Sequence, residues 1–266
     1  MARIIAIANQ KGGVGKTTTC VNLAASLAAM KRRVMLVDLD PQGNATMGCG
    51  VDKYALGSSI YDVLVDEAKI AAVTVPAGEA GFDVLPANGD LTAAEVELLD
   101  VDHKERKLRS ALAAVEELYD YILIDCPPSL NMLTLNGMVA ADGVIIAMQC
   151  EYYALEGLSA LMDTIRRISQ NLNPALKIEG ILRTMYDPRN SLTNDVSAQL
   201  HSHFGEQVYR TVIPRNVRLA EAPSHGLPAI LYDKHSRGAR AYMAFAGEII
   251  RREEKRESAA KALHWR

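Results

Sequence analysis

The sequence has few of the features that mark disulfide-rich, metal-rich or membrane proteins. Only four cysteines occur in 266 residues, and no two form a CxxC pair, which leaves zinc and dithiol redox sites without local support. No run of about 18 apolar residues is present, so no membrane-spanning helix is expected. The four thiols are predicted to be isolated and buried, in a reducing cytoplasm; they are Cys20, Cys49, Cys126 and Cys150.

The chain also lacks a large excess of either charge. Its net charge of -3 at pH 7 argues against a surface that attracts nucleic acid everywhere. The distribution is uneven, because residues 183–240 hold eight basic residues against five acids. A local basic surface is therefore expected, with an ordinary solvated face as the alternative. The eight are Arg183, Arg189, Arg210, Arg215, Arg218, Lys234, Arg237 and Arg240.

Short apolar runs alternate with helical stretches along most of the chain. Runs that are apolar at consecutive positions are typical of strands covered on both faces. The alternation predicts an α/β fold with a mostly parallel twisted sheet and helices on both faces. The predicted strands are Arg3–Asn9, Arg33–Asp38, Phe82–Pro86, Tyr121–Asp125, Gly143–Met148, Ile178–Thr184 and Val208–Val212. The predicted helices are Lys16–Met30, Lys104–Leu118, Ala154–Leu172, Ser191–Phe204 and Arg237–Arg256.

We expect one domain over residues 1–266. The chain starts with the first strand, so neither a signal peptide nor an N-terminal operator-binding domain is expected. The least regular segment, Val51–Ala80, is expected to carry a lid or an insertion. The charged C-terminal tail predicts a helix that frays from about residue 252, with Leu263 and Trp265 as its large apolar residues.

A glycine-rich loop gives the strongest functional signal. The run Lys11-Gly12-Gly13-Val14-Gly15-Lys16-Thr17-Thr18 follows a predicted strand and opens a predicted helix, which is the context of a P-loop. Glycines let backbone N–H groups approach phosphates, and the helix N-terminus adds partial positive charge. Lys16 then reaches the β- and γ-phosphates, Thr17 is suited to bind Mg²⁺, and Thr18 to bind the α-phosphate. An incidental glycine-rich turn is the alternative.

The loop departs from the usual GxxxxGK[ST] pattern in two ways. Gln10 stands where the first glycine belongs, and a second lysine, Lys11, lies at the loop entrance. In these respects KGGVGKTT resembles the deviant Walker A motif of the ParA/MinD family of P-loop ATPases. The resemblance implies that Lys11 reaches the phosphates of a second subunit, so that two ATP molecules lie between two chains. It implies catalytic roles for Lys11, Lys16 and Asp40.

Acidic side chains follow two predicted strands, at the sheet edge where ligands bind. Similarity to the family implies that Asp40 orients the attacking water and that Asp38 belongs to the Mg²⁺ shell, with Pro41–Thr46 as a first switch loop. The run ending at Asp125 resembles Walker B, and Asp125 is expected to hold Mg²⁺ together with Thr17. Helix capping is the alternative for Asp38 and Asp40. A nucleophilic role for the neighbouring Cys126 is disfavoured because no base is near it in sequence.

The last third of the chain is similar to chromosomal ParA proteins of the Soj type. The resemblance implies an adenine pocket, assigned to Met185, Pro214, Arg215 and Asn216. It also implies DNA binding without sequence preference. The residues nominated for DNA are Arg189, Arg215 and Arg218, followed by Arg237 and Arg240.

The implied function is ATP-dependent partitioning of DNA by a homodimer. The resemblance also implies a ParB-like partner that accelerates an otherwise slow ATP hydrolysis, and a cytoplasmic, nucleoid-associated protein. A membrane-cycling ATPase of the MinD type is the alternative, although the tail is poor in the apolar residues it needs. Two further classes have less support. An iron–sulfur carrier needs bridging cysteines, and an ATP-dependent synthetase needs an acceptor pocket.

Overall fold

A computed structural model describes residues 1–264, with side chains up to Arg256 and that of Ser258. Trp265 and the side chain of Leu263, both named above for the tail, lie outside the described residues. Within the described chain, no helix is long and apolar enough to cross a membrane.

An eight-stranded sheet forms the centre of the fold, in the order β3-β4-β2-β5-β1-β6-β7-β8. Every neighbouring pair is parallel except β3 and β4. The predicted α/β class is thereby confirmed, and all seven predicted strands are present. Strand β3 was not predicted, since two residues are too few to show a pattern. The strands are β1 (Arg3–Ala8), β2 (Val34–Asp38), β3 (Val75–Pro76), β4 (Asp83–Leu85), β5 (Tyr121–Asp125), β6 (Gly143–Gln149), β7 (Lys177–Tyr186) and β8 (Val208–Pro214).

Helices cover both faces of this sheet. Four of the five predicted helices are present, and the longest, α12, continues to His264. The structure describes α1 (Lys16–Ala29), α2 (Asn44–Gly48), α3 (Ile60–Leu64), α4 (Ile70–Val73), α5 (Leu91–Glu97), α6 (Lys107–Leu112), α7 (Met132–Ala140), α8 (Ala154–Asn171), α9 (Ser191–Phe204), α10 (Val217–Glu221), α11 (Ala229–Tyr232) and α12 (Arg237–His264). Segment 51–80, expected to be irregular, contains α3, α4, β3 and a 3-10 turn at Gly78–Ala80.

The prediction of one helix over Lys104–Leu118 is wrong. The segment breaks into a 3-10 turn, the short α6 and a second 3-10 turn at Glu116–Leu118. Tertiary backbone bonds hold its end, because the Glu116 carbonyl accepts from Ala2 N–H and Asp120 N–H donates to the Arg33 carbonyl. These bonds favour the turn over the helical propensity of the segment.

Alternate side chains of each strand enter two separate apolar layers. In β1, Ile4 and Ala6 belong to one layer, and Ile5 and Ile7 to the other. Helices α7 and α8 contribute to the first layer, and α1 and α12 to the second. This explains why the strands are apolar at consecutive positions: both faces are covered.

Helix α12 contacts the sheet as far as Arg256, and the fraying expected from about residue 252 stays a prediction. Arg252 donates to the Val208 carbonyl at 3.2 Å and pairs with Glu248 at 2.9 Å. One turn later, Arg256 pairs with the buried Glu179 at the start of β7. These contacts account for the helix continuing past residue 252.

Candidate nucleotide site and basic surface

The glycine-rich loop joins β1 to α1 at the carboxyl edge of the sheet. Gly13 (φ +72°) and Gly15 (φ +87°) lie in the left-handed region, which glycine adopts without strain. No atom lies within 4 Å of a Cβ built on Gly12 or Gly13, so this side of the loop is open to a ligand. From behind, the Thr184 hydroxyl of β7 donates to the Val14 carbonyl at 2.7 Å. The result is an anchored, open backbone cradle.

Lys16 folds back over this loop. Its side chain is buried, and its Nζ donates to the Lys11 carbonyl at 3.3 Å. Burial lowers the pKa of Lys16, against the opposing attraction of Asp125 and Asp40. A buried ammonium that faces an open cradle gains strongly from a phosphate, which supplies the missing negative charge. The predicted phosphate-binding role of Lys16 fits this geometry.

Asp38 and Asp125 end the adjacent strands β2 and β5 and are register partners. Both are fully buried, and burial raises the pKa of each carboxyl. Their partners differ. Asp38 accepts hydrogen bonds from Asp40 N–H and from both the N–H and the hydroxyl of Thr46. Asp125 Oδ2, by contrast, is buried without a partner.

This difference separates the two acids chemically. A buried carboxylate oxygen without a partner, adjacent to Thr17, fits a Mg²⁺ shell. Asp38, which was also nominated for metal, uses its oxygens to shape the loop that carries Asp40. Thr46 was missed as a central residue of that loop: its hydroxyl donates to Asp38 at 2.7 Å and accepts from Ala87 N–H at 2.9 Å. No sequence signal gave this pairing.

Asp40 reaches the same space as the phosphate cradle. The cavity there has a volume of about 560 Å³. It is large enough for a nucleotide and is the type of concave site that binds small molecules. Its lining brings together predicted residues from three segments, which are Gly12, Gly13, Gly15, Lys16, Thr17 and Thr18 of the loop, Asp40, and Met185. Pro128, after β5, and Asn44 also line it.

A smaller cavity of about 160 Å³ adjoins the loop. Here the structure brings together the four residues assigned to adenine, which are Met185, Pro214, Arg215 and Asn216. Met185 has φ +48°, a conformation that costs energy for a side chain of this size. Asn216 Oδ1 is buried without a partner. An apolar slot with one unused acceptor suits a flat base that bears an amino group.

Lys11 is turned away from the cradle in this single chain. Its Nζ forms an ion pair with Glu151, which follows β6, and both side chains are about half exposed at 54% and 43%. Next to Glu151 lie Tyr152 and Tyr153, both exposed and packed edge to face with centroids 5.0 Å apart. No motif or spacing in the sequence indicates Glu151 as a partner of the loop.

Known proteins match this chain over nearly its whole length. A family model described as "AAA domain" matches residues 2–178. The sporulation initiation inhibitor protein Soj of Bacillus subtilis (strain 168) is 53% identical over 249 residues, 94% of this chain and 98% of that protein. The chromosome partitioning protein ParA of Caulobacter vibrioides (strain NA1000 / CB15N) is 50% identical over 260 residues, 97% of each. This chain belongs to the ParA/Soj family.

Solved structures agree with the fold and with ATP and magnesium as ligands. A structure named cobyrinic acid a,c-diamide synthase from Mycobacterium smegmatis, with bound ADP and magnesium, is 40% identical, with a TM-score of 0.84 over 96% of both chains. More distant is the septum site-determining protein MinD of Pyrococcus horikoshii OT3 complexed with Mg-ADP. It is 28% identical, with a TM-score of 0.76 over 94% of this chain and 96% of that one. An adenine nucleotide and magnesium are the ligands expected for the cavity of this ParA/Soj chain.

The structure divides the basic residues of this ParA/Soj chain into three groups. Arg183 is buried and donates to Ser197 at 2.7 Å and to the Tyr209 carbonyl at 2.8 Å, so counting it toward a basic surface was wrong. Arg189 is paired with Asp187 at 2.8 Å. Arg218 is paired with Glu221 at 2.7 Å and Asp233 at 3.4 Å. Of the eight basic residues counted in residues 183–240, five form the third group, which is exposed with no acidic partner within 4.0 Å among the described residues: Arg210, Arg215, Lys234, Arg237 and Arg240.

A contact between two glycines connects the Asp40 loop to the segment that carries Arg218. Gly50 follows α2, and Gly226 follows the 3-10 turn Ala222–His225 after α10. A Cβ on Gly226 would lie 2.8 Å from Gly50 Cα, and both glycines have positive φ. Neither position accepts a side chain without displacement of the other segment. The segment after α2 and the segment after α10 are therefore in direct backbone contact at these two glycines.

Proposed function

We propose that this chain is an ATP-dependent DNA-partitioning ATPase that works as a nucleotide-switched homodimer. Two copies close around two ATP molecules, the closed dimer attaches to DNA without reading its sequence, and a ParB-like partner accelerates hydrolysis and release. Identities of 50–53% with a partitioning ParA and with Soj, across nearly the full chain, support this proposal.

The nucleotide occupies the cradle and the smaller cavity beside it. Backbone N–H groups of Gly12–Thr18 and the Lys16 ammonium hold the phosphates. Met185 and Pro214 enclose the base. Thr17 and Asp125 hold Mg²⁺, with Asp38 supporting them by fixing the Asp40 loop. When bound, Mg²⁺ neutralises phosphate charge and orients the γ-phosphate.

The observation that carries the dimer proposal is the position of Lys11. This lysine lies in the phosphate loop, yet its ammonium contacts Glu151 on the exposed side and not its own cradle. A cation at that place can reach phosphates that a second chain presents. It then stabilises negative charge that develops during transfer of the phosphoryl group. Dimerisation and ATP binding become linked, because the contact exists only when both are present.

Hydrolysis on this account is slow in the absence of a partner. Asp40 orients the attacking water, and its backbone position depends on the Asp38–Thr46 hydrogen bonds. The described residues of the cavity lining include no histidine and no other carboxylate. A ParB-like partner raises the rate by changing the position of the Asp40 loop, which is coupled to the Arg218 segment through Gly50 and Gly226.

The dimer attaches to the nucleoid through arginine–phosphate contacts. Two basic surfaces in one particle bind with an effective concentration that a single chain lacks, so closure switches DNA binding on. Release after hydrolysis returns the protein to the cytoplasm. Successive attachment and release then move DNA that carries the ParB-like partner.

Two other functions have specific but weaker support. The MinD neighbour favours membrane cycling, at 28% identity. The synthase name of the 40% identical neighbour favours ATP-dependent amidation. Partitioning is favoured because the relatives that carry this function are 50–53% identical to this chain, against 40% and 28% for the other two. Amidation predicts ATP turnover that rises with glutamine or ammonia and an acceptor acid, whereas partitioning predicts turnover that rises with DNA and a ParB-like protein.

The dimer step is tested by light scattering coupled to gel filtration, with ATP, ADP or no nucleotide. Wild-type protein is expected to dimerise only with ATP, and Asp40→Ala to stay dimeric because ATP is not consumed. Lys11→Ala is expected to bind ATP as a monomer. An ATP-dependent Lys11→Ala dimer of unchanged affinity would remove the cross-subunit role of Lys11.

A further inference from the structure

The outer face of α12 carries a line of cations longer than the set nominated from sequence. Arg237, Arg240, Arg251 and Lys255 are all exposed. At 3.6 residues per turn they fall within a sector of about 60° on one side of the helix. We call these four residues the α12 stripe. The first two were nominated for DNA binding, and the last two were not.

Small residues keep the middle of the α12 stripe open. Ala244 lies in the same sector and Gly247 about 20° outside it, and a Cβ on Gly247 would meet Arg251 Nη1 at 3.2 Å. The groove beside them has a volume of about 600 Å³. Arg210 of the edge strand β8 forms its other side, together with Thr211. The groove can therefore admit a group that the flanking cations contact from both sides.

The cations of this groove differ in whether they form an ion pair with a carboxylate. Arg252 pairs with Glu248, and Arg256 with Glu179. Among the described residues, no carboxylate lies within 4.0 Å of Arg210, Arg251 or Lys255, although Glu206 also lines the groove. Arg189 and Arg218, by contrast, must leave acidic partners before they bind a phosphate. Because exposed ion pairs are weak, the unpaired cations have only a small advantage as phosphate contacts.

The dimensions of the stripe fit an extended polyanion. From Arg237 to Lys255 the helix rises about 27 Å, which corresponds to about eight base pairs of duplex DNA. The stripe starts near the nucleotide edge, where Tyr242 contacts Thr19 at 3.1 Å, and ends near the opposite edge, where Arg256 contacts Glu179.

We propose that the backbone of duplex DNA lies along the α12 stripe, with Arg210, Arg251 and Lys255 as phosphate contacts. This inference rests on the proposed function and specifies the DNA path for it. The path runs along the outer face of α12, from near the nucleotide edge of the sheet to near the opposite edge. The contacts carry no base preference, because the groove faces phosphate and not base edges.

The test compares DNA affinity of charge variants by fluorescence anisotropy, using a labelled random-sequence duplex, ATP and Mg²⁺ at several salt concentrations. The double variant R251E/K255E reverses the charge at two positions of the α12 stripe, and R251Q/K255Q removes the charge at the same positions without reversing it. R166E/R167E is the matched control, since both arginines are exposed on α8, on the opposite face of the sheet. Thermal melts and ATP-dependent dimerisation verify that each variant folds and closes.

If the wild-type protein binds DNA in this assay, R251E/K255E is expected to bind DNA at least about tenfold more weakly than the wild type. The DNA affinity of the control is expected to stay within about twofold of the wild type. R251Q/K255Q is expected to reduce the steepness of the salt dependence by about two phosphate contacts per subunit. Unchanged affinity and salt dependence in the folded, dimeric stripe variants would overturn the inference and leave DNA partitioning intact.

Two other outcomes also decide the question. Wild-type protein that binds no DNA in any nucleotide state overturns the proposed function and the inference together. If the stripe variants keep DNA binding but lose binding to vesicles of phosphatidylglycerol, or to an acidic partner protein, the stripe serves that partner and the inference is overturned.

Discussion

The ion pair between Lys11 and Glu151 makes the most specific prediction for the switch. Glu151→Gln keeps the shape of the side chain and removes the charge that holds the lysine. Because both groups are about half exposed, at 54% and 43%, the pair stabilises the single chain by about 0.2–1 kcal/mol. The thermal midpoint should therefore fall by no more than about 2–4 °C.

The free energy of the Lys11–Glu151 ion pair also affects how tightly the dimer forms. Both subunits must release Lys11 before it can contact phosphates on the other side, so two pairs break for each dimer formed. Removing them strengthens the ATP-bound dimer by up to about 2 kcal/mol, which is about 30-fold in the dissociation constant. The gain should shrink at high salt, because salt already weakens an exposed pair.

Sedimentation velocity with a non-hydrolysable ATP analogue, over a range of protein concentrations, measures this constant. Glu156→Gln is the matched control, an exposed glutamate in the first turn of α8. A Glu151→Gln dimer that is weaker than the wild type would refute the reasoning, since Glu151 would then act within the dimer. A constant equal to that of the control would refute it as well.

Three further substitutions test the described interactions by denaturant unfolding of the ligand-free protein. Burial raises the pKa of Asp125, so its ionised form destabilises the fold above the usual aspartate pKa. Asp125→Asn should therefore add about 1–4 kcal/mol to the free energy of unfolding at pH 8, lose that advantage below about pH 4, and abolish Mg²⁺-dependent ATP binding. Equal stabilisation at both pH values would contradict this prediction. Arg183→Ala should lower the free energy of unfolding by about 2–4 kcal/mol, because it leaves buried acceptors unpaired. Arg215→Ala should lower it by about 0.5 kcal/mol or less. Similar losses in the two variants would show that Arg183 is not a core residue. Gly226→Ala should lower the free energy of unfolding by about 1–3 kcal/mol, because of the positive φ of Gly226 and its contact with Gly50, and it should lower ATP turnover. Wild-type stability and turnover would disprove the coupling between the Asp40 loop and the Arg218 segment.

The sheet and the nucleotide loop could be predicted because their signals are local. Consecutive apolar residues in β1 predict a strand covered on both faces, and the glycine spacing before Lys16 predicts a phosphate cradle. Helix α7 was missed because nearly all of it is buried, which removes the polar face that identifies a helix. The broken segment at 104–118 was missed because backbone bonds from distant strands determine where α6 ends.

Partners that are distant in sequence account for the rest. Glu151 lies 140 positions after Lys11, and no spacing rule connects them. The pairing of Arg189 and Arg218 with acids, and the burial of Arg183, likewise depend on tertiary packing. A basic residue count therefore predicted that a basic surface exists, but not which arginines form it.

The central claim is that the nucleotide state of this protein controls its attachment to DNA. The most direct measurement is the binding of purified protein to random-sequence duplex with ATP, with ADP and without nucleotide, at two salt concentrations. We expect strong binding with ATP alone, and this binding should fall steeply as salt rises. Equal binding in all three states, or none in any state while ATP is bound, would contradict it.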